Sequence, residues 1–209
     1  KDGLALTRFI YWIKNINKKK ITEVYAQNKL EKFRKLDKDY LFPSFDTIAG
    51  AGSNGAIVHY RANKKTTKKI EQRDILLVDS GGQYHYGTTD VTRTISFSKQ
   101  NEFIKNAYTN VLKGHIAVAL TNLNKDNTGK KIDIKARKFL KKEGQDYAHG
   151  TGHGVGFFLN VHEGPQSISK HNSIKIKNGM ILSNEPGFYK KNHFGIRIEN
   201  LIYAKETKR

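Results

Sequence analysis

Four acidic residues stand where a charged side chain is costly unless it is paired or bound to a metal ion. Asp79 ends one apolar run, and Asp90 lies in the segment that returns after a Gly-Gly turn. Glu185 closes a second apolar run, and Glu199 lies in the strand-like segment that follows. Buried like charges repel, and some would stay protonated unless cations neutralise them. Each strand-rich half of the chain therefore contributes two acids to a candidate site.

Histidines supply the complementary donors. His149 and His153 are four residues apart, as in a helical zinc-protease motif, but no Glu follows His149 and glycines fill the gap, so we predict a strand or loop here. One imidazole with four carboxylates is an oxygen-dominated set suited to Mn²⁺, Fe²⁺, Co²⁺ or Zn²⁺ in a two-metal cluster. Such a cluster activates a bridging water. His59 and His162 remain for general acid catalysis or oxyanion stabilisation.

Structural interpretations of the same residues stay open at this point. His59 could be a core histidine with satisfied hydrogen bonds, and Asp90 could form a plain ion pair with Arg93. The glycines of residues 50–55 could be turn glycines, because the stretch lacks the Lys-Ser/Thr ending of a P-loop and leads into a strand-like run. Spacing alone makes the metal site one interpretation among these.

The elements that must position these residues follow from the hydrophobic pattern. Apolar residues at helical spacing predict helices over 6–16, from Thr22 to a point before Pro43, over 101–123 and over 129–142, the last stopping at Gly144. Short apolar runs predict strands at Ala56–His59, Ile75–Asp79, Val91–Phe97, His149–Phe158, Met180–Glu185 and Phe194–Ala204. Helices and strands alternate in blocks, which favours an α+β fold over a doubly wound sheet.

Length and composition narrow the class of protein. The chain has 209 residues, the size of one domain, and it contains no cysteine, which excludes a disulfide scaffold, a thiolate metal site and a cysteine nucleophile. No apolar run reaches the roughly 18 residues of a membrane helix, and no signal-peptide pattern is present. Because the chain begins at Lys1 and its one methionine is Met180, we expect a piece of a longer protein or a processed product.

The net charge is strongly positive, at 38 − 19 = +19. This balance is typical of nucleic-acid binding. The lysines nevertheless occur in short runs, such as Lys18–Lys20 and Lys190–Lys191, mostly in predicted loops and at helix ends, without one stripe of interleaved aromatic residues. We interpret them as solvated surface, and we expect no specific nucleic-acid partner and only weak, salt-sensitive attraction to polyanions.

Several motifs, in order and at compatible intervals, resemble the catalytic domain of the Xaa-Pro aminopeptidases, which are pita-bread metallopeptidases. The resemblance covers nearly the whole chain and is carried by Asp46–Tyr60, Val78–Gly82, Thr89–Thr94, His149–Gly156, Asn160–Pro165, Asn184–Tyr189 and Gly195–Asn200. It implies an α+β pita-bread fold with halves related by a pseudo-two-fold axis. It also implies one metallopeptidase domain over residues 1–209, without the upstream non-catalytic domain and C-terminal extension of longer family members.

The resemblance also implies roles for individual residues. Asp79, Asp90, His153, Glu185 and Glu199 would bind two divalent ions, Mn²⁺ before Co²⁺, Zn²⁺ or Fe²⁺. Asp90 and Glu199 would bridge the ions, His153 and Glu185 would complete the shell of one ion, and Asp79 would complete that of the other. Glu185 would also accept a proton during catalysis.

Substrate contacts are implied in the same way. His59 and His162 would contact the scissile peptide and the proline side of the pocket, with His149 in support and Tyr189 and Arg197 organising the surroundings of the metals. The implied reaction releases the first residue of a peptide whose second residue is proline. A homodimer of the full-length protein and a cytoplasmic location are further expectations.

Rival functions remain. An Xaa-Pro dipeptidase, or prolidase, is the nearest enzymatic alternative, and a methionine aminopeptidase fits the residues around His149 and His162 less well. A pita-bread domain that has lost catalysis and serves as a binding module is the rival from another class. It predicts lost metal ligands and an acidic surface, whereas all five ligand positions are filled here and the net charge is +19.

Overall fold

The computed structural model describes residues 1–17 and 21–206, so the predicted lysine run Lys18–Lys20 lies outside the described residues. The helices are α1 (Asp2–Asn15), α2 (Glu23–Arg34), α3 (Glu102–Ala119) and α4 (Gly129–Lys142). The strands are β1 (Tyr40–Pro43), β2 (Ile48–Ala51), β3 (Ile75–Ser80), β4 (Gly82–Tyr84), β5 (Gly87–Thr88), β6 (Val91–Ser96), β7 (Gly152–Gly154), β8 (Glu163–Ile168), β9 (Ile181–Asn184), β10 (Gly187–Lys190), β11 (Phe194–Arg197) and β12 (Asn200–Tyr203).

The described residues fall into two compact units. The first comprises Lys1–Asn101 and Tyr189–Ile196, and the second comprises Glu102–Phe188 and the chain from Arg197 onward. In the first unit, β2, β3 and β6 form one antiparallel sheet and β1, β4 and β5 form a smaller one. In the second, the strand order is β12-β9-β7-β8. Each unit has two helices before its main sheet, in the predicted block order.

The core of the first unit forms on the inward face of α1. Leu6, Phe9 and Ile13 recur at helical spacing and are buried against the sheet and α2. Trp12, the one tryptophan of the chain, is partly buried beside them, with its ring centroid 5.8 Å from Phe9 and 6.0 Å from Tyr25. Full burial of an aliphatic or phenyl side chain contributes roughly 1.5–3 kcal/mol, so this face fixes α1 on the sheet.

A threonine cap begins the second helix of each unit. The hydroxyls of Thr22 and Thr128 accept the backbone N–H three residues later, at 3.2 and 3.4 Å. Each threonine also forms an isolated β-bridge with a lysine of an extended segment, Lys69 in the first unit and Lys175 in the second. The two units therefore repeat the same local device. No helix in the described part of the chain has both the length and the apolarity needed to cross a membrane.

The predicted strand Ala56–His59 is wrong. The chain instead forms a short 3₁₀ helix at Gly52–Ala56 and then a turn. Gly52 has φ +53°, and a Cβ on Gly50 would lie 2.7 Å from the nitrogen of Gly55. These contacts turn the chain back on itself before a strand can form. Gly50 lies in β2, and Gly52 and Gly55 lie in the 3₁₀ helix that makes the turn.

Two other strand predictions need correction. Of the predicted strand His149–Phe158, only Gly152–Gly154 is paired, and Phe158 lies in the left-handed region at φ 57°. The predicted strand Phe194–Ala204 is two strands, β11 and β12, which Ile198 and Glu199 separate. The unpaired parts include His149 in the first segment and Glu199 in the second.

Candidate metal centre

The first unit places Asp79 and Asp90 at the end of the β3–β6 ladder. Asp79 pairs with Thr92, and Ser80 pairs with Val91, so Asp90 is the next residue on its strand. Residues offset by two across an antiparallel pair share a face, which puts both carboxylates on one side of the sheet. Both are buried, at 8% and 5% exposure. The β3–β6 pairing therefore puts both acids at one end of the same antiparallel ladder.

The second unit repeats this arrangement with Glu185 and Glu199. The β9–β12 ladder ends at the Asn184–Asn200 pair, and the two glutamates are the next residues beyond that end of the ladder. Glu199 is buried at 1% exposure, and the side chain of Glu185 is 16% exposed. The two acids therefore leave the same end of one antiparallel pair.

His153 on β7 has a fixed tautomer. Its Nδ1 lies 2.8 Å from the carbonyl oxygen of Gly154, and because a carbonyl can only accept, Nδ1 carries the proton and donates it. Nε2 is left with its lone pair, 3.3 Å from Oε1 of Glu185. His153 and Glu199 also offer ligand atoms within 4.8 Å of one another. The second unit thus gathers an imidazole and two carboxylates.

This donor set fits a divalent cation. Histidines that bind metals almost always donate their other ring N–H to a carbonyl or carboxylate, as His153 does to Gly154. Carboxylate oxygens with one imidazole suit Mn²⁺, Fe²⁺, Co²⁺ or Zn²⁺. The burial of Glu199 is explained if a cation compensates its charge. The chemistry of the residues therefore agrees with the metal interpretation.

His162 lies against His153, whereas His59 belongs to the first unit. The imidazole rings of His153 and His162 form an edge-on contact with centroids 4.1 Å apart. His162 is exposed, as a residue that meets a substrate must be. His59 is exposed in the turn that follows the 3₁₀ helix, so its interpretation as a core histidine is wrong.

The remaining predicted substrate residues have different degrees of burial. His149 is partly buried, with Nδ1 2.7 Å from the carbonyl oxygen of Gly150 and its ring centroid 4.9 Å from that of Tyr147. Arg197 is buried on β11. Tyr189 is partly buried against a small apolar cluster of the first unit. Their roles stay predictions.

A buried arginine that the sequence analysis missed fixes the chain before β7. Arg137 of α4 is 2% exposed and donates to Asp133 at 2.7 Å and to Asp146 at 2.6 Å. It also donates to the carbonyl oxygens of Tyr147 and His149, at 2.6 and 2.7 Å. The guanidinium of Arg137 therefore fixes the chain from Asp146 to His149, which leads into β7 and His153. An Asp four residues before an Arg on the inward face of α4 was the available signal.

The charges of this network stabilise one another. Burial acts to raise the pKa of Asp146, but hydrogen bonds from Arg137 and from the backbone of Tyr147 outweigh it and leave that pKa below its ordinary value. Burial likewise acts to lower the pKa of Arg137, but its interactions with Asp133, Tyr147 and Asp146 together outweigh this, so that pKa is raised. The ionised forms are therefore the native ones.

Glu23 is a buried charged residue of the first unit that sequence reasoning missed as well. It is fully buried at the start of α2 and accepts hydrogen bonds from four groups. These are the backbone N–H of Ala51 (2.7 Å), the amide of Asn54 (3.0 Å), the hydroxyl of Tyr60 (2.8 Å) and the backbone N–H of Lys68 (2.8 Å). Burial, reinforced by Glu23, raises the pKa of Tyr60 to about 12. Glu23 thus anchors the turn that carries His59.

A family model described as metallopeptidase family M24 matches residues 1–206 of this sequence. The chain belongs to metallopeptidase family M24. As a member of M24, it has the α+β pita-bread fold, in which two units repeat the same order of elements. The paired acids at matching strand ends in the two units are the local expression of that repeat.

Curated relatives of this M24 chain are considerably longer than it. A probable Xaa-Pro aminopeptidase P of Paracoccidioides lutzii is 48% identical over 214 positions, which cover 100% of this chain and 35% of the relative. The protein of the same name from Coccidioides posadasii is 49% identical with the same coverage. The chain therefore spans about a third of the length of the curated relatives that it matches.

Solved structures also match this chain over part of their longer length. An X-prolyl aminopeptidase from Caenorhabditis elegans, described as a cytosolic enzyme with a di-nuclear active site, superimposes with a TM-score of 0.89 at 37% identity, over 97% of this chain and 34% of that one. A prolidase from Thermococcus sibiricus superimposes with a TM-score of 0.82 at 29% identity, over 100% of this chain and 58% of that one. The shared fold therefore covers both specificities.

Proposed function

We propose that residues 1–209 act as a single catalytic domain that releases the N-terminal residue from peptides with proline in second position. The observation that carries the proposal is the placement of His153, whose Nε2 faces Glu185 while Nδ1 donates to a carbonyl. The similarity to proteins named Xaa-Pro aminopeptidase P, at 47–49% identity, favours this substrate class over prolidases, whose structures share 29–31%.

The metal ligands we propose are the five residues of the sequence analysis, with Asp90 and Glu199 shared between two ions, His153 and Glu185 on one, and Asp79 on the other. Manganese is the metal that we propose. When bound, two such ions supply a Lewis acid for the scissile carbonyl and lower the pKa of a water molecule. The convergence of buried carboxylates on the imidazole of His153 supports this assignment, because buried acids need a compensating partner and a cation is one that all of them can share.

The chain's own residues then divide the work of peptide cleavage. Glu185, the less buried acid of the second unit, accepts the proton of the attacking water. His162 donates a hydrogen bond to the developing oxyanion from its exposed position beside His153. His59 contacts the substrate from the first unit. We assign supporting roles in substrate binding to His149, Tyr189 and Arg197.

Proline specificity follows from what the imide nitrogen lacks. The nitrogen of an Xaa-Pro bond carries no hydrogen, so a peptidase that depends on that donor cannot hold this substrate. A site that recognises the ring by shape and polarises the carbonyl has no such requirement. The proposed residues are acceptors, imidazoles and a tyrosine, which can serve such a site.

Peptide hydrolysis with defined substrates tests the proposal. The protein, loaded with Mn²⁺, is expected to release the first residue from an Xaa-Pro-Xaa tripeptide, and chelation is expected to abolish that release. Cleavage of the dipeptide Xaa-Pro alone would instead establish the prolidase alternative. Absence of hydrolysis together with absence of Mn²⁺ binding would favour a non-catalytic binding module.

Location and partners complete the proposal. We propose a cytoplasmic enzyme, since the chain lacks cysteine and the Caenorhabditis elegans relative is described as cytosolic. We also propose a homodimer of the full-length protein, with peptides as its partners and no specific nucleic-acid or membrane partner. Tight, saturable binding of a random oligonucleotide at physiological salt would contradict the last point.

A further inference from the structure

Ser183 is hydrogen-bonded to both His153 and Glu185, two of the proposed metal ligands. It lies on β9 two positions before Glu185, so both side chains leave the same face of the strand. The Ser183 hydroxyl accepts the backbone N–H of His153 at 2.9 Å and donates to Oε1 of Glu185 at 2.9 Å. Its side chain is fully buried.

The hydrogen-bond directions at Ser183 are fixed by its partners. A backbone N–H can only donate and a carboxylate oxygen can only accept, so the one hydroxyl proton is committed to Glu185. The same Oε1 atom lies 3.3 Å from Nε2 of His153. Ser183 therefore restrains the carboxylate while it also restrains the backbone of the residue whose imidazole faces that carboxylate.

The backbone around Ser183 allows little adjustment. A Cβ on Gly152 would overlap the carbonyl oxygen of Ser183, so β7 and β9 approach each other as closely as glycine permits. The backbone N–H of Glu185 donates to the carbonyl oxygen of Thr151 at 2.8 Å. Because the two strands are packed too closely to shift, removal of the Ser183 hydroxyl leaves the Glu185 carboxylate without this hydrogen bond.

We propose that Ser183 is a positioning residue that holds the Glu185 carboxylate against the His153 imidazole and thereby sets the affinity of the ion that this pair binds. The inference rests on the proposed function, since it presumes that the pair binds a metal. Groups that hydrogen-bond a metal ligand typically change metal affinity by 10–100-fold when they are removed. The other ion, which does not depend on His153 or Glu185 in the proposed assignment, is expected to be unaffected.

Mn²⁺ titration of the metal-free 209-residue protein tests this inference without reference to activity. Ser183→Ala is expected to weaken one of two Mn²⁺ sites about 10–100-fold in calorimetry and to leave the other unchanged. Electron paramagnetic resonance is expected to show a coupled Mn²⁺ pair in the wild type and isolated Mn²⁺ in the variant at the same loading. Ser183→Thr, which keeps the hydroxyl, is expected to retain wild-type affinity.

Ser167→Ala is the matched control. Ser167 lies opposite His153 in the β7–β8 register, and its hydroxyl is 3.4 Å from that of Ser169. Ser167→Ala is expected to leave the affinities of both Mn²⁺ sites at their wild-type values. Equal affinities in Ser183→Ala and wild type, or equal losses in the Ser183 and Ser167 variants, would overturn the inference.

If Ser183→Ala does not fold, Ser183→Cys replaces it, because a thiol keeps the shape but is a weak donor. Weakened binding in that variant supports the inference, and unchanged binding contradicts it. If the wild type itself binds no Mn²⁺, both the proposed function and this inference fail. A loss of Mn²⁺ binding that is confined to the Ser183 variants leaves the proposed function intact and supports the inference.

Discussion

At the scale of single residues, two buried arginines organise the acids around them. Arg137 meets Asp133 and Asp146, and Arg34, which is fully buried in α2, meets Asp2 with Nε at 2.7 Å. A buried pair that loses one partner leaves an uncompensated charge, which costs far more than an exposed pair does. The stability of each unit should therefore depend on its arginine.

Arg137→Met is expected to lower the free energy of unfolding by about 3–5 kcal/mol, because it strands the buried carboxylate of Asp133. Urea unfolding measures the change. The double variant Arg137→Met with Asp133→Asn removes both charges and is expected to recover part of the loss. A single variant as stable as the wild type would show that the guanidinium contributes only bulk.

Asp2 predicts a pH dependence of stability. Burial acts to raise its pKa, but the hydrogen bond and charge of Arg34, together with hydrogen bonds from Tyr84 and Thr89, outweigh this and leave the folded pKa below the unfolded one. A depressed folded pKa stabilises the protein above the unfolded value of about 3.9, and this stabilisation is lost as the pH falls through the folded value. Asp2→Asn is therefore expected to lower stability at pH 7 and to flatten its decline in acid.

Asp126→Asn is the exposed counterpart for this measurement. The pKa of Asp126 is also lowered, by its hydrogen bond to Lys135, but the pair lies at the surface, where solvent and salt screen it. Denaturant midpoints between pH 3 and pH 7 are expected to change little in this variant. Equal effects of the two substitutions would refute the role of burial.

Sequence reasoning at this scale found residues whose type conflicts with their surroundings. Asp79 and Glu185 could be predicted because an acid at the end of an apolar run requires compensation. Ser183 could not, since a serine inside a strand is ordinary until its hydroxyl has partners. Arg137 was also missed, because it stands among six lysines of α4 and reads as part of a solvated face.

At the scale of elements, glycine sets how closely α3 and α4 approach. Gly114 lies in the interior of α3, where glycine costs roughly 0.5–1 kcal/mol relative to alanine. A Cβ there would overlap the carbonyl oxygen of Ala136 on α4. The close helix pair thus accounts for a residue that lowers the intrinsic stability of its own helix.

Gly114→Ala is expected to destabilise the protein, although the same change in an unobstructed helix stabilises it. Gly3→Ala in α1 is the matched control, because a Cβ at Gly3 meets nothing within 4 Å. We expect a gain of up to about 1 kcal/mol for Gly3→Ala and a loss for Gly114→Ala. Thermal melts of the two variants measure these changes in stability. A change of the same sign in both variants would contradict the close packing of α3 on α4.

Elements could be predicted where the local pattern and the tertiary contacts agree. Helix α4 follows the predicted bounds, ending at Lys142 with Gly144 at φ +66°. The predictions at Ala56–His59 and His149–Phe158 were wrong because glycines in these segments bring strands and turns into close contact. Such contacts involve residues that are distant in sequence, and a local hydrophobic pattern carries no information about them.

At the scale of the whole molecule, the two units repeat more than their element order. Each has a threonine-capped second helix, a bridge from that threonine to a lysine, and a pair of acids at the end of an antiparallel ladder. The sequence alone revealed only the acid pairs. The caps and bridges escaped because the residues around Thr22 and Thr128 share few identities.

Metal binding is expected to stabilise the whole chain if the proposed ligands are correct. Saturating Mn²⁺ at 100 times the dissociation constant adds about 2.7 kcal/mol per site, provided that the unfolded chain does not bind it. Glu199→Gln is expected to lose most of this gain, because Glu199 is a proposed ligand of both ions. Melting curves with and without chelator measure it, with the exposed Glu206→Gln as the control. An equal Mn²⁺ response in both variants would remove Glu199 from the ligand set.

The position of Trp12 gives the first unit an optical signal of its own. Because the only indole of the chain lies in the first unit, between Phe9 and Tyr25, its emission reports on the contact of α1 with α2. Far-ultraviolet circular dichroism is dominated by helices in both units. Comparing the two signals during one denaturation therefore shows whether the halves of this fold lose their structure in a single step or in succession.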